Sequence, residues 1–154
     1  MSTTATPTTP SKPAFEMPPM SAEHQATEKV GKRLAELIGQ RKNLDAIKEL
    51  YADNAKHIEV MGGPGCERIC EGKATLLQKA QQFHDSITIH GHTIGKPVTN
   101  GDQFLLPMSL DSTFNDGPMK GMRMNMQETA LYTVKNGKIS EAKFFYGMCG
   151  MDEK

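Results

Sequence analysis

The chain has 154 residues, room for one domain with a core of its own. Its 18 basic and 18 acidic residues cancel, so it lacks the basic footprint of a nucleic-acid binder or of a protein held by charge on an anionic membrane. No apolar run reaches the ~18 residues of a membrane span, and three cysteines (Cys66, Cys70, Cys149) do not make a secreted disulfide framework.

Residues 1–22 are rich in Thr, Pro and Ser and read as a flexible tail. They hold no apolar core of a secretory signal, so a cytoplasmic location is expected. Phe15, Met17 and Met20 are the apolar exceptions and could dock on the domain or on a partner subunit. The domain itself is expected over residues 23–150. "AEHQATEKVGKRLAELIGQ" reads as a helix, with Val30, Leu34, Leu37 and Ile38 at helical spacing. Asn43 offers an N-cap to a second helix, "LDAIKELYADNA". "KHIEVMGG" reads as a short strand, "GGPG" as a hairpin tip and "CERICEG" as the returning strand. "KATLLQKAQQFHDSI" is a third helix, with Leu76, Leu77, Ala80 and Phe83 on one side. Four long strand candidates follow: "SITIHGHTIGKPVT", "DQFLLPMSLDSTF", "MRMNMQETALYTV" and "KISEAKFFYGM". "NGD", "NDGP" and "KNGK" mark the turns between them, and such short links imply antiparallel neighbours. Helices first and a strand meander last predict an α+β fold, with helices on one face of a curved, mostly antiparallel sheet.

Two segments resemble signatures of the SnoaL-like and ketosteroid-isomerase-like proteins of the nuclear transport factor two-like superfamily. These are "KNLDAIKELYADNAKHIEV" and "ALYTVKNGKISEAKFFY". The resemblance covers roughly residues 25–148. It implies a single cone-shaped domain, a bent sheet wrapped around the helices, and a pocket open at one end. It also implies a homodimer formed through the convex face of the sheet. Aligned without gaps on Ala52-Asp53-Asn54-Ala55, the family's carboxylate base falls on Glu59, and its oxyanion tyrosine falls on Ala35. The family's second acid falls near Ala130, with Glu128 two residues earlier on the same face.

The residue types themselves suggest the same neighbourhood. Glu128 alternates with Met122, Met124, Met126, Ala130 and Tyr132. If that face looks inward, burial raises the carboxyl's pKa and makes it a proton donor near neutral pH. The alternatives turn Arg123, Asn125, Gln127, Thr129 and Thr133 inward, or pair Glu128 with Lys143 or Arg123. Glu59 shares a face with His57 and Met61, and His57 and Glu59 pointing inward would make an acid–base pair. With Ile58 and Val60 inward instead, both would be solvated. His90 and His92 alternate onto one side of "TIHGHTI" and suit a pocket lining or an interface. No third ligand accompanies them, and Cys66-x3-Cys70 also lacks partners, so no metal is expected. Tyr146 shares its face with Ala142 and Phe144 and could present its hydroxyl to a cavity. Walker-type, dinucleotide and G-x-S-x-G signatures are absent, and no cofactor is expected.

Together these readings predict an enzyme that moves protons beside the carbonyl of a small apolar molecule. Glu59, Glu128 and His57 are its candidate catalytic residues. Tyr132, Met124, Met126, His90 and Tyr146 are its candidate binding residues. The alternative is a ligand-binding or accessory protein of the same fold.

Overall fold

The computed structural model describes Phe15, residues 17–62 and residues 67–147. Most of the expected tail, the tip of "GGPG", Cys66, Cys149 and the last residues of the expected domain lie outside the described residues. Among the described residues no helix is long and apolar enough to cross a membrane.

Helix α1 (Ala22–Gly39) starts where the Ser21 hydroxyl accepts the His24 N–H at 3.1 Å, satisfying an otherwise orphaned helix donor. Its inward stripe is Thr27, Val30, Gly31, Leu34 and Leu37. Gly31 allows a close crossing, since a Cβ there would lie 3.2 Å from the Phe104 ring. After a turn through Arg41 (φ 60°), α2 covers Asn43–Leu50. Lys42, not Asn43, occupies its N-cap, and no side chain caps it. The helix also ends earlier than "LDAIKELYADNA" suggests. Tyr51 is extended (φ −92°, ψ 143°) and opens strand β1 (Tyr51–Ile58). Its pairing with Ile139 and the burial of Tyr51, Ala55 and His57 override the local helical tendency.

Strand β2 (Ile69–Glu71) returns beside β1, and α3 (Lys73–Ser86) follows. The meander is β3 (Ile87–Ile94), β4 (Val98–Asn100), β5 (Gln103–Phe114), β6 (Arg123–Lys135) and β7 (Lys138–Tyr146). At the β6–β7 turn Asn136 and Gly137 both have positive φ (52° and 73°), the conformation a two-residue hairpin needs. The order across the sheet is β2-β1-β7-β6-β5-β3, with β4 beside β5. All pairs are antiparallel except β1 with β7, which run parallel. Among the described residues the seven strands form a curved sheet that does not close.

Alternation assigns the two faces. Phe104 and Leu106 of β5, Ala130, Tyr132 and Val134 of β6, and Ala142 of β7 are buried. With Val30, Leu34, Leu37, Ile47 and Leu50 of the helices they form the core. The even-numbered face of β6 therefore looks inward, while Arg123, Asn125 and Gln127 are exposed on the outer face. Arg123 pairs with Asp111 at 2.8 Å, and Lys143 lies over the Phe145 ring, so neither binds Glu128.

Candidate functional site

Beyond the packed half of the inner face, charged and phenolic side chains from four elements converge. Glu59 follows β1 by one residue and keeps the inward parity of Ala55 and His57. Its backbone N–H donates to the Arg68 carbonyl at 2.8 Å, which holds the strand end in place. One carboxylate oxygen, Oε1, is 2.6 Å from Lys79 Nζ, and the other, Oε2, accepts the Tyr146 hydroxyl at 3.2 Å. The Glu59 and Lys79 side chains are only 16% and 23% exposed, so this ion pair is partly desolvated. Lys79 comes from α3, one turn after the fully buried Leu76. Tyr146 ends β7 directly opposite Glu128 of β6.

Glu128 is partly buried and takes a different character. Burial first, and then the neighbouring Glu59 charge, raise its carboxyl from 4.5 to about 7, against the opposing pull of Lys79. The cluster thus holds a carboxylate engaged by a cation and a phenol beside a carboxyl that keeps its proton close to neutral pH. Such a division lets one group accept a proton while the other donates.

His57 is inward but does not make the expected pair with Glu59. Its Nε2 faces the Tyr51 hydroxyl at 3.3 Å, and its ring lies edge-on to Tyr51 and Phe144, with centroids 5.5 and 5.0 Å away. Burial, reinforced by Lys79, pushes its pKa down to about 3 and keeps it neutral. Tyr51 and Tyr132 are both buried, and burial raises both phenols. Tyr132 is 2% exposed and stacks on Phe104, with ring centroids 4.8 Å apart. It lies beneath the cluster as a core residue and not on a ligand wall.

Met124 and Met126 continue the Glu128 face toward the far end of β6, opposite Ser112 and Leu110, and are partly buried. The two histidines of β3 separate. A register shift between Ile89 and Gly91 turns His90 to the outer face, where Nε2 meets the Thr113 hydroxyl at 2.7 Å. His92 stays inward and bonds the Gly39 carbonyl at the end of α1. An extra residue in one strand breaks the simple alternation that would have aligned them. Among the described residues no three His, Cys, Asp or Glu side chains gather as a metal site.

Two pockets adjoin the cluster. An open groove of about 670 Å³ crosses the sheet through the outward-facing Val60, Pro107, Gln127, Thr129 and Phe145, with Glu128 and Tyr146 also on its lining. A second, of about 560 Å³, lies between β2 and α3 and includes Cys70, Thr75, Gln78 and Lys79. Neither encloses Glu59 together with Glu128. Lys79 is the residue that sequence reasoning missed. Its signal was a cation at helical spacing from both Leu76 and Phe83.

A family model described as the SnoaL-like domain matches residues 25–146. The chain belongs to the SnoaL-like family. A Mesorhizobium loti protein assigned as a SnoaL-like polyketide cyclase, with carbohydrate phosphatase as a second designation, shares 38% identity; the match covers 77% of this chain and 97% of that one, with a TM-score of 0.71. A nuclear transport factor two-like protein from Burkholderia xenovorans is 14% identical over 83% and 94% of the two chains, at a TM-score of 0.66. An M. tuberculosis epoxide hydrolase described as LEH-like is 12% identical over 81% and 85%, at 0.60. The last two show the shared fold. No curated protein matches the chain by sequence.

Proposed function

We propose that the protein is a cofactor-independent enzyme of the isomerase or cyclase type, acting beside the carbonyl of a small apolar molecule. The observation that carries this reading is the carboxylate pair around Lys79: Glu59 ion-paired at 2.6 Å, Glu128 raised to about 7. Glu59 would remove the proton on the carbon next to the carbonyl. Glu128, still protonated, would donate a hydrogen bond to the carbonyl oxygen as negative charge develops there. Lys79 and Tyr146 hold the base in place, and Met124 and Met126 offer an adaptable apolar wall to the body of the substrate. The cyclase designation of the Mesorhizobium loti relative supports the class of reaction. A homodimer through the outer sheet face belongs to the same proposal, supported by the exposed apolar residues there, Val60 and Phe145 among them.

The binding-protein alternative keeps one specific support: both oxygens of Glu59 already have partners. Exchange of α-hydrogens for deuterium, followed by NMR over a panel of small β-dicarbonyl and aromatic ketone compounds, separates the two. Under the enzyme reading at least one compound exchanges faster with the protein than in buffer alone, and Glu59→Gln slows that catalysed exchange by a factor on the order of 10²–10⁴. Exchange unaffected by Glu59→Gln would reject Glu59 as the base.

A further inference from the structure

The segment ahead of α1 carries three large apolar side chains that the domain leaves uncovered: Phe15 is 84% exposed, Met17 73% and Met20 54%. Where this segment leaves the domain is defined. The Gly101 N–H of the β4–β5 turn donates to His24 Nδ1 at 3.2 Å and fixes the start of α1 at that corner of the sheet. The outer face beside the corner is apolar. Val98 (65% exposed) pairs with Leu105 (42%), and Leu105 pairs with Leu131. This row runs inward from the β4 margin, with polar residues flanking it toward the strand ends at Gln103 and Thr133.

The arm does not fold back onto its own row. Pro18 and Pro19 lock their φ angles and bias Met17 and Pro18 to extended backbone, which stiffens the stretch next to α1. An intramolecular dock would bury Phe15 and Met17, which are instead the most exposed large apolar side chains of the described chain. Length fits an intermolecular dock. The five steps from Phe15 to Met20 can reach at most roughly 17 Å, and a row across β4, β5 and β6 is about 10 Å wide. The arm can therefore cross the row with Phe15 and Met17 both in contact.

We propose that Phe15, Met17 and Met20 of one copy of this chain pack on the Val98–Leu105–Leu131 row of a second copy, so that the tail is a dimer arm. In a two-fold pair each copy gives one arm and one row, and every exposed apolar group of the set is covered once. The inference rests on the homodimer proposed above and adds the element that secures it.

Sedimentation velocity over a concentration series of the full chain, beside the F15S/M17S/M20S variant, tests the arm. A benzoylphenylalanine at position 15 then reports its neighbour after irradiation. The expected results are a dimer, at least tenfold weaker in the variant, and cross-linked dimers joined at peptides containing Leu105 or Leu131. A full chain that stays monomeric overturns the homodimer and the arm together. A dimer equally tight in the variant, or cross-links confined within single chains, overturns the arm and leaves the sheet-face dimer standing.

Discussion

Glu128→Gln gives the sharpest measurement of what the inner cluster does to a carboxyl. In the unfolded chain this group ionises near 4.5; in the fold burial and Glu59 hold its proton to about 7. Between those values the unfolded chain has released a proton that the folded chain keeps. Stability must therefore fall as pH rises through this window, with the full loss present above pH 7. A displacement of 2.5 units (7 − 4.5) sets a ceiling of about 3 kcal/mol at 1.36 kcal/mol per unit, less what partial exposure screens. Glutamine matches the neutral acid in shape and cannot ionise. The variant should melt with the wild type near pH 4.5 and above it at pH 8, by roughly 5–10 °C for a chain of this size. His57 works in the opposite sense over an overlapping range, so the difference between variant and wild type is the quantity to read. Thermal melts from pH 4.5 to 8.5 supply it. A difference that stays constant with pH, or a Glu128 carbon resonance titrating at its ordinary value, would refute the placement of this carboxyl.

Two more perturbations probe the groups around it. Lys79→Met leaves Glu59 without its cation in a partly desolvated place, and should cost about 1–3 kcal/mol at neutral pH; NMR titration should also show Glu128 moving upward, because the charge that opposes its rise is gone. His57 is held neutral down to about pH 3 where the unfolded chain binds a proton near 6.5, so its contribution is present above 6.5 and lost as pH falls toward 3. His57→Phe should flatten that acid limb in a melting-temperature profile from pH 4 to 7, while costing about 1 kcal/mol at pH 7 for the partner the Tyr51 hydroxyl loses.

The orientation of β6 was legible because its apolar alternation is long. Ala130, Tyr132 and Val134 anchor one face, and a period of two carries that assignment back to Glu128, Met126 and Met124. Around Glu59 the local signal pointed the other way, since Ile58 and Val60 are the apolar pair. The register with β7, which sets His57 beside Ala142, decides the face there, and that pairing joins residues more than eighty apart in sequence. The α2–β1 boundary was hidden for the same reason: Tyr51 has a helical neighbourhood in sequence and a strand partner in space. The separation of His90 from His92 depends on a bulge, for which Gly91 was the only local hint. Lys79 looked like an ordinary helix cation because sequence gives no measure of what an ammonium will meet.

The parallel seam between β1 and β7 bears on how the molecule is made. A ribosome releases the N-terminal third, with β1, long before it has synthesised residues 138–146. Until then Lys56, His57 and Ile58 have β2 on one side and no neighbour on the other, and Tyr51 has no strand partner. Pairings of such sequence separation are slow, since loop closure must be completed before they stabilise anything. The nascent chain therefore carries an open strand edge until residues 138–146 emerge, and β7 is the strand that seals it.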